Sequence, residues 1–290
     1  MTRLAALFLF AAALLPAQPF RWTREQMIHY TPENPFERFA DGRPKVPDAL
    51  LEKVKGLSVE EAWGILRAKG YIHQHAGSGF QILHPGTKLV GRAVTAQYLP
   101  TRPDLGKVLA ADAKQQGLPS TENQKVIDLL QLRDVPVIDL MGPAPGHNFG
   151  GDNLHAAIYG ATKTGAVVDG TVRDLEGLFE MPTQVYYREG HPAAVSGVAV
   201  IGINIPVKIG EAIVMPGDIV LGDRTGIMFI PPQLVQEIVE KAELTHIHDE
   251  WTKAKFLTGK YKASDLYPSP TIPALKQEYE AYVKQRLGKK

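Results

Sequence analysis

The chain has no cysteine, which excludes disulfides and a lipid-bearing thiol and leaves the redox compartment open. It has no surplus of either charge, with 32 Lys and Arg against 31 Asp and Glu. Nucleic-acid binders carry a basic excess or stripe, so small molecules are the expected partners and nucleic acid is not. Long apolar runs are also missing: only residues 4–15 form one, and that length is too short for a comfortable bilayer span. No repeat recurs, and no glycine-rich turn followed by a suitable acidic strand end marks a nucleotide cofactor or supports methyl transfer.

What is present is enough apolar material for one large domain: 44% hydrophobic and 22% charged residues over 290 positions. Arg3, the apolar run, and then Pro16 and Ala17 follow the order of a secretory signal, with cleavage expected after about Ala17. Its removal takes only Arg3 among the charges and leaves 31 basic and 31 acidic residues. Export to the periplasm or beyond is the expectation, without membrane contact after cleavage. A retained anchor or a cytoplasmic helix is the alternative.

Residues 18–57 read as an N-terminal arm, irregular over 21–45 and helical over 47–54. Helix is expected over 58–69, where Ser58 and Glu61 have capping-box spacing. His73 and His75 would share one face of a strand within 71–83, as exposed strand positions more readily than as a metal pair. The alternating segment 89–99 predicts a strand, 104–116 and 121–132 predict helices with Thr121 as N-cap, and 135–140 predicts a buried strand. A loop, GPAPGHNFGG over 142–151, then leads into a helix over 152–163 and a strand over 166–169 that Gly170 should break. Strands over 199–202, 205–207, 212–214, 219–221 and 226–230 are spaced for a compact sandwich or barrel rather than repeated βαβ units. An amphipathic helix over 232–254 and a helical tail over 256–290 complete the chain.

The chemistry concentrates in residues 149–174, FGGDNLHAAIYGATKTGAVVDGTVRD. Asp152 opens a helix whose free amides suit a carboxylate, and Arg173 and Asp174 follow the next strand. One or two acids on a rigid frame can hold a hard ion such as Mg²⁺, which keeps several waters. Such an ion can chelate a 2-oxo acid while a fixed guanidinium stabilises an enolate. Helix-start aspartates and charged loop pairs are also commonplace, so this spacing alone does not separate the two readings.

The segments GGDNLHAA, GAVVDGTVRD and MPGDIVLGDRTGIMFIP, with LVGRAVTA and PVIDL before them, resemble the RraA-like family, which includes divalent-metal-dependent 4-hydroxy-4-methyl-2-oxoglutarate aldolases. The family's signature, an Asp, twenty intervening residues and Arg-Asp, is matched by Asp152, Arg173 and Asp174. The resemblance covers roughly residues 58–255. It implies an α/β fold, a swivelling β/β/α sandwich, as a single domain between the arm and the tail, assembled as a homotrimer or homohexamer. It also implies cleavage of a 4-hydroxy-2-oxo acid to pyruvate, or decarboxylation of oxaloacetate, with Mg²⁺ or Mn²⁺. Asp174 would hold the metal, Arg173 the keto oxygen, and Asp152 a water on that metal. The backbone of Gly151, Asp152, Asn153 and Leu154 would hold the substrate carboxylate.

A neighbouring subunit's glutamate completes the aldolase sites, and Glu250 in HIHDE is the implied residue, with Asp249 competing. His246 and His248 read as solvated helix residues. His147 and Asn148 are candidates for selecting the distal end of a substrate. Asp169, Asp218, Asp223 and Arg224 read as turn residues, and His155 as core or solvent. Two departures stand out: the export signal and the terminal additions. Export disfavours inhibition of a cytosolic ribonuclease, a role known within the family, and a non-catalytic metabolite- or protein-binding role is the alternative function.

Overall fold

The computed structural model describes residues 21–288, so the expected signal over residues 1–17 lies outside the described residues. The first element, α1 (Arg24–Tyr30), is closed by a reciprocal capping box between Thr23 and Gln26. It corrects the irregular reading of 21–45: a seven-residue helix with one buried side chain, Met27, leaves almost no periodic signal. Next come α2 (Asp48–Val54) and α3 (Val59–Ala68), the latter with the expected Ser58–Glu61 capping box. Two short strands follow, β1 (His75–Ala76) and β2 (Gln81–Ile82), and then the twelve-residue β3 (Leu89–Pro100). The helix α4 (Pro103–Gln115) is close to expectation, but α5 is a single turn, Gln124–Ile127, where 121–132 was expected to be helical. Asn123 caps it in place of Thr121.

The next four elements build the frame of the candidate site: β4 (Asp134–Asp139), α6 (Asp152–Thr162), β5 (Gly165–Val172) and α7 (Leu175–Phe179). Gly170 does not end β5. The strand runs through it with a register irregularity between Val168 and Thr171. A Cβ at position 170 would stand 2.8 Å from Leu140 Cβ and 2.9 Å from the His147 carbonyl, so the missing side chain admits the loop that crosses over. The chain continues through β6 (Gln184–Gly190), unmarked in the sequence reading, β7 (Val198–Ile203), β8 (Val207–Ile209), β9 (Ala212–Val214), β10 (Ile219–Asp223) and β11 (Gly226–Ile230). The long α8 (Pro232–Phe256), the one-turn α9 (Ala263–Leu266) and α10 (Pro273–Leu287) follow. No helix among the described residues is long and apolar enough to cross a membrane.

Nine strands form one sheet in the order β1-β11-β10-β3-β4-β5-β6-β2, with β7 also on β3, and β8–β9 form a separate hairpin. β3, β4, β5 and β6 are parallel; the other pairings are antiparallel. This is a mixed α/β domain with helices and a β-hairpin laid against one large sheet, in agreement with the expected class. Alternate side chains divide the core into layers. Val94, Ile138 and Val168 pack with Ile158 of α6 on one face, and Val135, Val137 and Val167 pack under the hairpin on the other. A third layer joins β10 and β11 to α2, α3 and α8 through Leu51, Val54, Leu66, Ile230 and Ile238. Parallel strands place their carboxyl ends along one edge, where α/β sheets take ligands. The 142–151 loop and the Arg173–Asp174 turn both leave from that edge.

Candidate functional site

Residues 147–150 lie alongside the end of β5. Thr171 N donates to the His147 carbonyl at 2.8 Å, Phe149 N to the Thr171 carbonyl at 3.1 Å, and Arg173 N to the Gly150 carbonyl at 3.2 Å. Asn148, fully buried, donates through Nδ2 to Thr171 Oγ1 and to the His191 carbonyl at the end of β6. These bonds sew the start of α6 to the end of β5. They bring together Gly151, Asp152, Asn153, Leu154, Arg173 and Asp174, although about twenty residues separate the two halves.

The fit between the halves is close. A Cβ on Gly151 would stand 1.9 Å from Asp174 Oδ2, and one on Gly177 would stand 2.5 Å from Asp152 Oδ2. Each carboxylate therefore rests against a glycine on the segment that carries the other. Asp174 is left-handed, φ 57°, at the start of α7. For a non-glycine residue this is a sparsely populated conformation, costing on the order of 1–3 kcal/mol and most often held where a site requires it, with aspartate among the more tolerant residues.

Arg173 Nε lies 3.4 Å from Asp174 Oδ2, with the two side chains 39% and 48% exposed. Among the described residues the guanidinium makes no other polar contact, so its forked end is open to a ligand. The first amides of a helix have no partner within it, and an eleven-residue α6 adds a favourable dipole for an anion. One of those amides is already taken: Asn153 N donates to Asp152 Oδ1 at 2.6 Å. The anion cup is thus narrower than the expected Gly151–Leu154 set. A metal has a suitable but sparse donor set in Asp152 and Asp174. No group of three or more His, Asp or Glu side chains is gathered for one among the described residues, and two half-open carboxylates suit a hard ion that keeps its waters.

The other candidates go elsewhere. Glu250 is bound by Arg286 of α10, at 2.9 Å and 3.2 Å, and Asp249 by Lys253. His246 pairs with Glu61 at 2.7 Å. His248 is not a solvated residue: it sits largely buried, edge-on to Tyr279 with ring centres 5.5 Å apart. His73 is exposed beside Glu211, and His75 bonds the Thr225 carbonyl through Nε2. Asn148 is a buried brace rather than a residue lining the cleft, while half-buried His147 hydrogen-bonds the Gly142 carbonyl at 3.1 Å. His155 is core: it is wholly buried, its Nδ1–H donates to the Gly151 carbonyl at 3.0 Å, and burial lowers its pKa, favouring the neutral ring.

Asp169 does not cap a turn. It holds Arg188 at 2.7 Å and accepts from Gly210 N. Asp223 accepts from Val59 N and Thr225 N, and Arg224 lies close over Gly86. Sequence reasoning missed Gly177, His191 and Arg188. It also missed that Asp139 and Asp169 stand in register on adjacent strands, where burial first, and the neighbouring charge to a lesser degree, raise the Asp139 pKa.

Comparison with known proteins agrees with this frame. Residues 48–229 match the family profile RraA-like, described as Aldolase/RraA. A protein of Halalkalibacterium halodurans named "Putative 4-hydroxy-4-methyl-2-oxoglutarate aldolase" is 31% identical over 121 residues, 40% of this chain and 55% of that protein. Protein DlpA of Legionella pneumophila is 28% identical over 182 residues, 61% of this chain and 27% of that protein. The chain thus spans about half the length of the first and about a quarter of the second. The solved structure of Streptomyces coelicolor RraAS2, described as an unusual member of the RNase ES inhibitor RraA protein family, superposes with a TM-score of 0.62 at 26% identity. The superposition covers 73% of this chain and all of that one.

Proposed function

Since the chain belongs to the RraA-like family, we propose that it is a divalent-metal-dependent carbon–carbon lyase that releases pyruvate from a 4-hydroxy-2-oxo acid or decarboxylates oxaloacetate. The observation that carries this reading is the open guanidinium of Arg173 beside a strained, half-exposed Asp174. A 2-oxo acid presents its carboxylate to the first turn of α6 and its keto oxygen to Arg173. In the retro-aldol reaction the 4-hydroxyl gives up its proton, the C3–C4 bond breaks, and its electron pair passes through C3 onto the keto oxygen. The products are a second carbonyl compound and the enolate of pyruvate, which takes a proton at C3. Decarboxylation breaks the same bond, with carbon dioxide leaving.

Arg173 stabilises the oxygen on which charge grows, an effect of about 2.7–4 kcal/mol where one such donor has been removed from a site. Asp174, with Asp152 beside it, would hold Mg²⁺ or Mn²⁺, which supplies Lewis-acid polarisation of the keto group when bound. The site is open to solvent in the single chain. We therefore include in the proposal a homotrimer or homohexamer in which a neighbouring subunit covers it and brings its Glu250, released from Arg286, to the site. Export after cleavage near Ala17 is also part of the proposal, checked by sequencing the N-terminus of the mature protein.

The test is pyruvate release across 4-hydroxy-2-oxo acids and oxaloacetate. Activity is expected to fall to background with EDTA and in Asp174→Ala, and to fall about 100-fold in Gly151→Ala, whose added methyl displaces the Asp174 carboxylate. Undiminished turnover with EDTA or in Asp174→Ala would sink the proposal. The Streptomyces neighbour, described as belonging to an RNase inhibitor family, favours a second reading, a non-catalytic binding protein. Tight metabolite binding without metal, and no turnover over the whole panel, would establish that reading instead.

A further inference from the structure

Away from this site, a cavity of about 400 Å³ opens between the end of α1, the turn joining β9 to β10, and the first turn of α8. Tyr30, Tyr71, Gln74, Ile213, Asp218 and Gln233 contribute to its lining. Asp218 is 2% exposed, and its Oδ2 accepts from Met215 N at 2.9 Å, closing the Met-Pro-Gly-Asp turn. It has no ion pair among the described residues. An asparagine would close the same turn without a charge to bury, so an uncompensated carboxyl beside a cavity calls for a partner. Burial pushes its pKa up to about 7, the direction expected of an acid lacking a cation.

The rest of the lining has the same bias. Among the described residues no Lys, Arg or His contributes to it, and Glu33 adds a second acid. The Gln74 amide donates to the Ile213 and Phe229 carbonyls, and the Gln233 amide to the Tyr71 hydroxyl, which leaves their oxygens as acceptors. Both Asn34 amide atoms are engaged with Phe36. Apart from tyrosine hydroxyls and one N–H of Gln233, the polar side-chain groups left over are acceptors, set among two phenol rings and an isoleucine. Rings of this kind also attract cations.

We propose that this cavity is a second ligand site, which takes a small organic cation: a primary amine on an apolar or aromatic body, with its ammonium group at Asp218. The inference is independent of the lyase reading, because neither Asp174 nor Arg173 takes part.

The experiment is calorimetry of the full chain with 2-phenylethylamine, 2-phenylethanol and phenylacetate, three probes of similar shape and different charge. The amine is expected to bind about tenfold tighter than the alcohol, the difference between a charge-assisted and a neutral hydrogen bond, and phenylacetate is expected not to bind. Asp218→Asn should remove the amine's advantage while leaving the alcohol unchanged. Ile213→Trp should block both: the residue is 60% exposed, so the change does not test the core. Asp174→Ala should leave amine binding unaltered. Equal affinity for amine and alcohol, failure of the amine to bind, binding of phenylacetate as tight as that of the amine, survival of the amine's advantage in Asp218→Asn, or survival of amine binding in Ile213→Trp would each overturn the proposal. Loss of amine binding in Asp174→Ala would do so too, by moving the amine to the other site.

Discussion

Two arginine–aspartate pairs in this molecule use the same chemistry to opposite ends. Arg43, from the segment before α2, reaches Asp134 at the start of β4 through two hydrogen bonds of 2.7 Å and 3.0 Å, with side chains 2% and 0% exposed. Gln131 N also donates to that carboxylate, and Phe39 lies under the guanidinium at 4.4 Å. Arg173 and Asp174 meet at a single 3.4 Å contact in half-open surroundings. The first pair spends both terminal guanidinium nitrogens on the carboxylate, and its one unbonded nitrogen, Arg43 Nε, is sealed in the core where no ligand reaches it. The second is under-satisfied and geometrically constrained, which is the condition of a group waiting for a partner. Residue type does not separate the two pairs; whether unspent hydrogen bonds face solvent does.

Three variants bear on that contrast. Arg43→Ala should lose about 3–5 kcal/mol of stability, because Asp134 is left charged and buried, while the joint replacement Arg43→Met with Asp134→Leu should recover most of it. Chemical denaturation of both variants beside the parent chain checks this, and equal stability of the single and double variants would erase the distinction. Arg173→Ala should lower kcat by about 10²–10³, yet change stability by no more than about 1 kcal/mol, as for any exposed pair. An unfolding midpoint measured beside pyruvate release separates the two effects.

Asp218 supplies the third term, a buried acid with no cation among the described residues. Its pKa is raised in the folded state to about 7, so the native chain binds a proton that the unfolded chain releases. Stability from this group is therefore complete at acid pH and declines as pH rises from the ordinary carboxyl range towards 7. Asp218→Asn should flatten that decline and be the more stable form at pH 8, a comparison made by melting both proteins across pH.

Much of the local structure was legible. The Ser58–Glu61 box, β3, β4, the start of α6 and the hairpin strands β9 and β11 all follow from short-range pattern. α1 was missed because Met27 is its one buried side chain, where the equally short α2 buries three; α5 was drawn too long because Leu129 and Leu130 prolong the apolar spacing while the backbone leaves the helix in turns; and β6 was missed because its polar end, Arg188 and Glu189, broke the apolar run. At the site, the Arg-Asp turn and the helix start were visible separately. Their approach was not, since it depends on Asn148, Thr171 and His191, which meet only in space, and on Gly177, whose role appears once Asp152 is placed against it. Arg43 and Asp134 lie 91 positions apart, beyond any reading of local pattern.

The backbone bonds that sew residues 147–150 to β5 also bear on how the proposed substrate would get in. The segment cannot swing away as a flap without breaking the Thr171–His147, Phe149–Thr171 and Arg173–Gly150 contacts together. Many enzymes close a mobile cover over the bound molecule, and the motion sets the pace of the cycle. Here the surface proposed to receive the substrate is already assembled in the single chain. Association should be a single concentration-dependent phase without a slower isomerisation behind it, and little binding energy is diverted into ordering the chain.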